Sequence, residues 1–182
     1  MEVNAERIRR GYAKREWDAL MAGEILTGVF RRRDGQHASA AGVIECAPSD
    51  LWPLLEDFES RPAYLPGADA IRVVRVAGNR VWLAERVKIL FVTIAYQVSN
   101  TLVPAAGSVS WALDDTGTND IGATAGSCEI VPVASAQHTL LRYQNVLDIG
   151  RPVPGGIERL LLKRSLPQII GGFRPEAQRR LG

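Results

Sequence analysis

The sequence predicts an α+β fold in which a strongly curved antiparallel β-sheet wraps around a long C-terminal helix and leaves an internal apolar cavity. Three observations predict it. Residues 43–67 run as a strand, a short helix and a brief turn. Nearly everything from there to residue 149 reads as strands with no βαβ rhythm. Only residues near 154–180 read as helix again. A long apolar helix against a bent sheet is difficult to close-pack at its centre, and that is where a ligand cavity forms.

Residues 4–22 read as one charged amphipathic helix, with Ile8, Tyr12, Ala19 and Leu20 on its apolar side. Glu2, Glu6, Glu16 and Asp18 dilute its basic face, which favours packing on its own domain over lying on an acidic membrane. Asp34-Gly35 divides the next segment into two extended pieces, Glu24–Arg33 and Ala38–Cys46, as a hairpin or a bulged first strand. Pro48 suits a first helical position, and Ser49 or Asp50 can accept bonds from the first free N–H groups. Leu51, Leu54, Leu55 and Phe58 then share one helical face, and the helix stops before Tyr64-Leu65-Pro66-Gly67. Trp52 and Phe58 are expected in the core beside the sheet end, away from any ligand.

Strands follow at about Ala70–Val76, Arg80–Leu90, Phe91–Leu102, Ser108–Leu113, Ala123–Val131 and Thr139–Ile149, in a sheet of six or seven strands. Alternation assigns the inner face. Val81, Leu83, Glu85, Val87, Ile89 and Phe91 form one stripe, with Arg86 and Lys88 on the other side. Val92, Ile94, Tyr96 and Val98 form the next, followed by Val109, Trp111 and Leu113, and by Leu141, Tyr143, Asn145 and Leu147. In the C-terminal segment Pro167 is expected to kink or divide the helix, and Gly171-Gly172 to weaken the turn after it.

Composition narrows the function classes. The chain has 182 residues, 46% of them apolar, and a formal charge of +2, so it suits one domain of ordinary core size with no strong electrostatic partner signal. Cys46 and Cys128 have no metal or redox spacing and are expected as buried free thiols. His37 and His138 read as surface positions near turns, and no metal site or cofactor is expected. Arg31-Arg32-Arg33 fits an anionic partner, a lipid headgroup or RNA, but more simply a solvated strand end, because no aromatic residues are interleaved for base stacking. Nucleic acid is therefore not an expected partner. There is no phosphate loop, no dinucleotide fingerprint, no nucleophile elbow and no zincin motif. No apolar run approaches ~20 residues and the N-terminus lacks the apolar core of a signal peptide, so the chain as it stands is expected to be cytoplasmic, with a cleaved leader upstream left open.

Several motifs together resemble the START-like (SRPBCC) superfamily, in particular bacterial polyketide cyclase/dehydrase and coenzyme-Q-binding-like proteins. They are Ala47-Pro48 with Leu51-Trp52 and Leu54–Phe58, then Tyr64-Leu65-Pro66-Gly67 and the strand Ile71–Val74. Trp111, Gly126, Pro132, Thr139 and Tyr143 follow at matching spacing, and Gly150 with Val153-Pro154 and Leu166-Pro167 lead into and along the last helix. The resemblance covers about residues 38–175. It divides the chain into an N-terminal helix and extension, 1–37, and a START-like ligand-binding domain, 38–182. It implies a helix-grip fold with a deep apolar pocket for a lipid, quinone, sterol or polyketide. Some members of the superfamily are aromatase/cyclases, and a related branch acts on ribosomes.

Three readings stay open: binding or carriage of a hydrophobic small molecule, cyclase-type catalysis on a polyketide-like substrate, and an interaction module for ribosomes or proteins. The expected pocket is lined by Leu83, Glu85, Val87, Ile94, Tyr96, Trp111, Tyr143 and Asn145. It is closed by Ile157, Leu161, Ile169 and the Leu65-Pro66-Gly67 turn. Glu85, Tyr96 and Tyr143 are the candidate acid–base groups, because a buried carboxyl with a raised pKa suits proton transfer. Glu85 and Asn145 are expected to be the least satisfied polar groups in that lining. Glu85 also has a plainer reading, as the partner of a neighbouring Arg, and the tyrosines as core aromatics. Oligomeric state is not legible, and peripheral membrane contact is open.

Overall fold

The computed structural model describes residues 2–33, 35–89, 92–133, 135–150 and 155–182. The N-terminal segment forms two helices, α1 (Glu2–Arg9) and α2 (Lys14–Met21), rather than the single helix expected. Gly11 and Tyr12 turn the chain with short bonds back to Ile8 and Arg9. The Glu16 carboxylate then accepts the Ala13 N–H at 2.8 Å and starts the second helix.

β1 (Leu26–Arg32) and β2 (Gly35–Ile44) are separate antiparallel strands, and α3 (Pro48–Glu56) leads into a 3-10 turn at Arg61–Ala63. β3 (Ala68–Ala77), β4 (Arg80–Ile89), β5 (Val92–Val103), β6 (Ser108–Leu113), β7 (Ala123–Val133) and β8 (Ser135–Asp148) follow. They build one curved antiparallel sheet in the order β1-β2-β8-β7-β6-β5-β4-β3. It has eight strands, where the sequence predicts six or seven, because both halves of the 24–46 segment join it. His37 and His138 lie within β2 and β8 and are half-buried, not in turns as expected. β6 is short, and beyond its end the 114–120 loop takes over as partner of β5. The Asp120 carboxylate and the Asn119 side-chain oxygen each accept a β5 N–H, from Ala95 and Gln97, at 2.8 Å.

α4 (Gly155–Leu181) grips the concave side, and Pro167 does not divide it. Leu166, Ile170, Phe173 and Ala177 recur at helical spacing and are all buried. Gly42 on β2 makes room for this stripe, since a Cβ there would lie 2.6 Å from Cγ2 of Ile170. Gly172 serves close approach, not helix punctuation: a side chain there would run into the Tyr64 carbonyl. The Arg174 guanidinium ties the helix to the sheet, donating to Val43 O at 3.0 Å and to Gly23 O at 2.9 Å.

Two cores result. The concave one joins α3 and α4 to residues such as Ala38, Ala40, Leu83, Val98, Cys128 and Leu141. On the convex side α1 and α2 bury Ile8 and Leu20 against Ala41, Val131, Val133 and Leu140. The apolar face of the N-terminal helices is therefore spent on the chain's own sheet. Phe58 is buried, whereas Trp52 is half-buried and packs against the concave core. Trp52→Ala is accordingly expected to lower stability by about 3 kcal/mol, the low end for a large aromatic. An unchanged denaturation midpoint would show that α3 is not anchored there.

Candidate functional site

The strand register places the expected lining residues on one side. Leu83 pairs with Val98, Glu85 with Tyr96 and Val87 with Ile94 across β4 and β5. Trp111 lies opposite Gly126, which is opposite Asn145, while Tyr143 lies between Ala40 and Cys128. Cross-strand partners share a face, so these side chains all look toward the concave side under α4. Leu83 is fully buried and belongs to the packed core, and Ile169 is half-buried against it. The side chains of Ile157 and Leu161 lie outside the described residues.

Two polar groupings interrupt this apolar face. In the first, the Tyr96 hydroxyl donates to Glu85 Oε2 at 3.0 Å. Burial raises the Glu85 carboxyl above the usual glutamate range, while the charge of Arg61 and the Tyr96 bond pull it back. Burial and the nearby Glu85 carboxylate push the Tyr96 hydroxyl well up, and they raise Tyr143 in the same way. In the second, Asn145 Oδ1 accepts from Trp111 Nε1 at 3.2 Å and from Thr124 Oγ1 at 3.1 Å. Asn145 is thus well partnered, contrary to expectation. The Trp111 ring stacks on Tyr143 at 5.5 Å. That stack fits because position 126 is glycine; a Cβ there would run into the indole.

The residues sequence reasoning missed are the ones whose bonding is incomplete. Arg61, from the 3-10 turn, lays its guanidinium over the Phe58 ring at 4.5 Å and donates from Nη2 to Leu55 O at 2.8 Å. Its Nε is buried without a partner. Phe58 belongs to the concave core, so the guanidinium resting on it lies at the edge of that core, and its charge reaches Glu85, Cys128 and Tyr143. Asn100, opposite Trp111, has a buried Nδ2 with no partner, and Gln36, opposite Leu147, a buried Oε1 with none. Alternation would have found Asn100, which shares parity with Tyr96 and Val98. No periodic signal marks Arg61, because it stands in a turn.

Both cysteines are free and buried. Burial lifts the Cys46 thiol to about 11 and the Cys128 thiol to about 12, so neither is a nucleophile at neutral pH. Among the described residues no group of three or more His, Cys, Asp or Glu is placed to hold a metal ion. No described helix is long and apolar enough to cross a membrane. A separate cleft of about 430 Å3 opens on the convex side between α1, α2 and the sheet, where Arg7, Ile8, Tyr12, Leu26, Ser39 and Arg142 line it. It contains neither the Glu85–Tyr96 pair nor Arg61.

No family model matches the sequence, and no curated relative matches it. Solved structures do match in fold. The Zhui aromatase/cyclase from Streptomyces sp. R1128 superposes with a TM-score of 0.70 at 14% identity, over 80% of this chain and 95% of that one. A STAR-related lipid transfer protein from Xanthomonas axonopodis gives 0.69 at 12% identity, over 85% and 93%. A START superfamily protein from Mycobacterium smegmatis gives 0.67 at 16% identity, over 79% and 97%. With its eight-stranded curved sheet closed around α4, this chain has the START-like (SRPBCC) helix-grip fold.

Proposed function

We propose that the chain binds and carries a hydrophobic small molecule between the concave face and α4, with the polar end of the ligand at Arg61, Glu85 and Tyr96. One observation carries this reading: among the described residues three buried polar atoms, Arg61 Nε, Asn100 Nδ2 and Gln36 Oε1, have no hydrogen-bond partner. An unmet buried donor or acceptor destabilises a fold by about 1–3 kcal/mol, so such atoms are normally met by a ligand or by ordered water. Glu85, Tyr96 and Tyr143 support it too, being half-buried rather than sealed although they lie deep under the sheet. The unmet groups are mostly donors, which favours a ligand carrying carbonyl, carboxylate or phenolic oxygens on an apolar body.

The test is native mass spectrometry of the purified chain, followed by titration with a hydrophobic fluorescent probe. Glu85→Gln and Arg61→Ala are expected to weaken probe binding about tenfold, roughly the loss of one charge-assisted hydrogen bond. Arg86→Ala and Lys88→Ala are expected to leave it unchanged. Equal affinity in all four variants, with no co-purifying molecule, would remove the reading.

Glu85 also sets a pH dependence. Its carboxyl is raised in the folded chain, so the folded state holds a proton that the unfolded chain releases. Stability therefore declines as pH rises from the ordinary glutamate range through the raised value, by about 1.4 kcal/mol for each tenfold change in the acid constant. Glu85→Gln is expected to flatten that decline in urea denaturation followed from acid to neutral pH. A slope equal to that of the parent chain would mean that Glu85 is not buried as described.

A second reading, cyclase-type catalysis on a polyketide-like substrate, is favoured by the Tyr96–Glu85 bond. A carboxyl raised above its usual range by burial and bonded to a tyrosine hydroxyl is a workable proton shuttle in an apolar site. Turnover of a polyketone mimic, lost in Glu85→Gln, would favour it over carriage.

A further inference from the structure

The convex side of the sheet carries a surface that the pocket does not use. Arg72 and Arg75 of β3 lie opposite Ala84 and Trp82 of β4. The even positions of β4, Arg80, Trp82, Arg86 and Lys88, point away from Leu83 and Glu85. All five cations are exposed. Trp82 lies between two of them, with the Arg75 guanidinium 3.5 Å and the Arg80 guanidinium 4.9 Å from its ring centroid. The indole thus holds two guanidinium groups against its ring at the surface.

The carboxylates around this patch are already committed. Glu59 accepts the Val73 N–H at 2.9 Å, Asp120 accepts the Ala95 N–H, and Asp69 pairs with Arg86. Among the described residues, Arg72, Arg75, Arg80 and Lys88 have no ion-pair partner. One half of one sheet face therefore carries four cations without an ion-pair partner, with the charged Glu59 and Asp120 carboxylates held by backbone N–H groups at its edge. The other half is the part over which α1 and α2 pack, against β7 and β2. Exposed apolar side chains cluster at the hairpin end of the patch. Val103, 40% exposed, shares the face of Trp82; Val76, 62% exposed, lies opposite Val81 on the other face of the hairpin tip, and Val74, 51% exposed, sits at the bulge between Val73 and Arg75. The Asn79 side chain bonds Leu102 O to hold the end of β5 beside the β3–β4 turn.

We propose that the β3–β4 hairpin end docks on an anionic lipid bilayer. Arg72, Arg75 and Arg80 meet phosphate headgroups there, and the exposed valines enter the interfacial layer. A bilayer suits the patch better than nucleic acid does, because arginines already cover the Trp82 ring and base stacking needs a free aromatic face. The surface is independent of the pocket, so its failure would leave the ligand-binding reading intact.

The test is flotation of the full chain with phosphatidylcholine vesicles, with and without phosphatidylglycerol, at low and high salt. Binding is expected only to the phosphatidylglycerol vesicles, and salt should reverse it. Joint Arg72→Gln, Arg75→Gln and Arg80→Gln replacement is expected to weaken it about 100-fold, at roughly fivefold per cation, with probe binding in the pocket unchanged. Val76→Asp, at an exposed position that leaves the core alone, is expected to weaken it about tenfold and serves if the triple variant misfolds. Joint replacement of Arg7, Arg9 and Arg10 by Gln should have no effect. No binding to anionic vesicles, binding retained in the hairpin variants, loss in the α1 variant instead, or salt-sensitive binding of single-stranded RNA with none to vesicles would each overturn the proposal.

Discussion

Phe58→Ala is expected to lower stability by about 3–5 kcal/mol and to loosen the polar end of the site at the same time. Phe58 lies in the turn just after α3, not on its helical face as expected, and is 3% exposed, so truncation opens a void that the surrounding Leu51, Leu54 and Leu55 cannot fill without moving α3. The same ring is the surface on which the Arg61 guanidinium rests, at 4.5 Å. Without it, only the bond to Leu55 O fixes the direction of the arginine. Phe58→Leu separates the two roles, because it restores most of the volume but not the aromatic face. It is expected to recover most of the stability and to keep probe binding weak. Denaturant unfolding together with probe titration decides it. Full recovery of affinity by Leu would show that Arg61 does not depend on the ring.

Asn145→Leu is expected to lower stability by about 2–5 kcal/mol, because it strands two donors at once. Trp111 Nε1 and Thr124 Oγ1 both donate to Asn145 Oδ1, and neither has another hydrogen-bond partner among the described residues. Thr124 is buried, and Trp111 is held by its stack on Tyr143 and by the contact with Gly126, so neither group turns freely to water. Asn145→Asp keeps the acceptor and serves as the control. If Leu and Asp are equally mild in thermal unfolding, the hydrogen-bonded trio contributes nothing to the fold. This effect belongs to stability first; a change in ligand affinity follows from a moved Trp111 rather than from a lost ligand contact.

The inward position of Glu85 was legible in the sequence. Side chains in a strand alternate, Leu83 and Val87 flank it at the same parity, and Arg86 and Lys88 occupy the other. Its hydrogen bond to Tyr96 was not legible, because the bond depends on the β4–β5 register, in which the two residues lie opposite each other. Asn100 could have been read by the same parity rule. The satisfaction of Asn145 could not, since its partners come from β6 and β7, 34 and 21 residues away in the chain.

The sequence by itself determined the fold class, the order of elements from α3 onward, the inward stripes of β4, β5, β6 and β8 and the Leu51, Leu54 and Leu55 face of α3, all from short-range periodicities that burial enforces along one segment. Tertiary structure alone decided the rest. It brought Arg61 out of an irregular turn onto the Phe58 ring, where its charge reaches Glu85, Cys128 and Tyr143. It made Gly172 a point of contact with Tyr64 and carried α4 unbroken through Pro167. It also gathered the cations of β3 and β4 around Trp82. The physical reason is common to these cases: a turn residue, a helix glycine and a cross-strand neighbour take their roles from distances set by packing between segments, and no period within one segment encodes those distances.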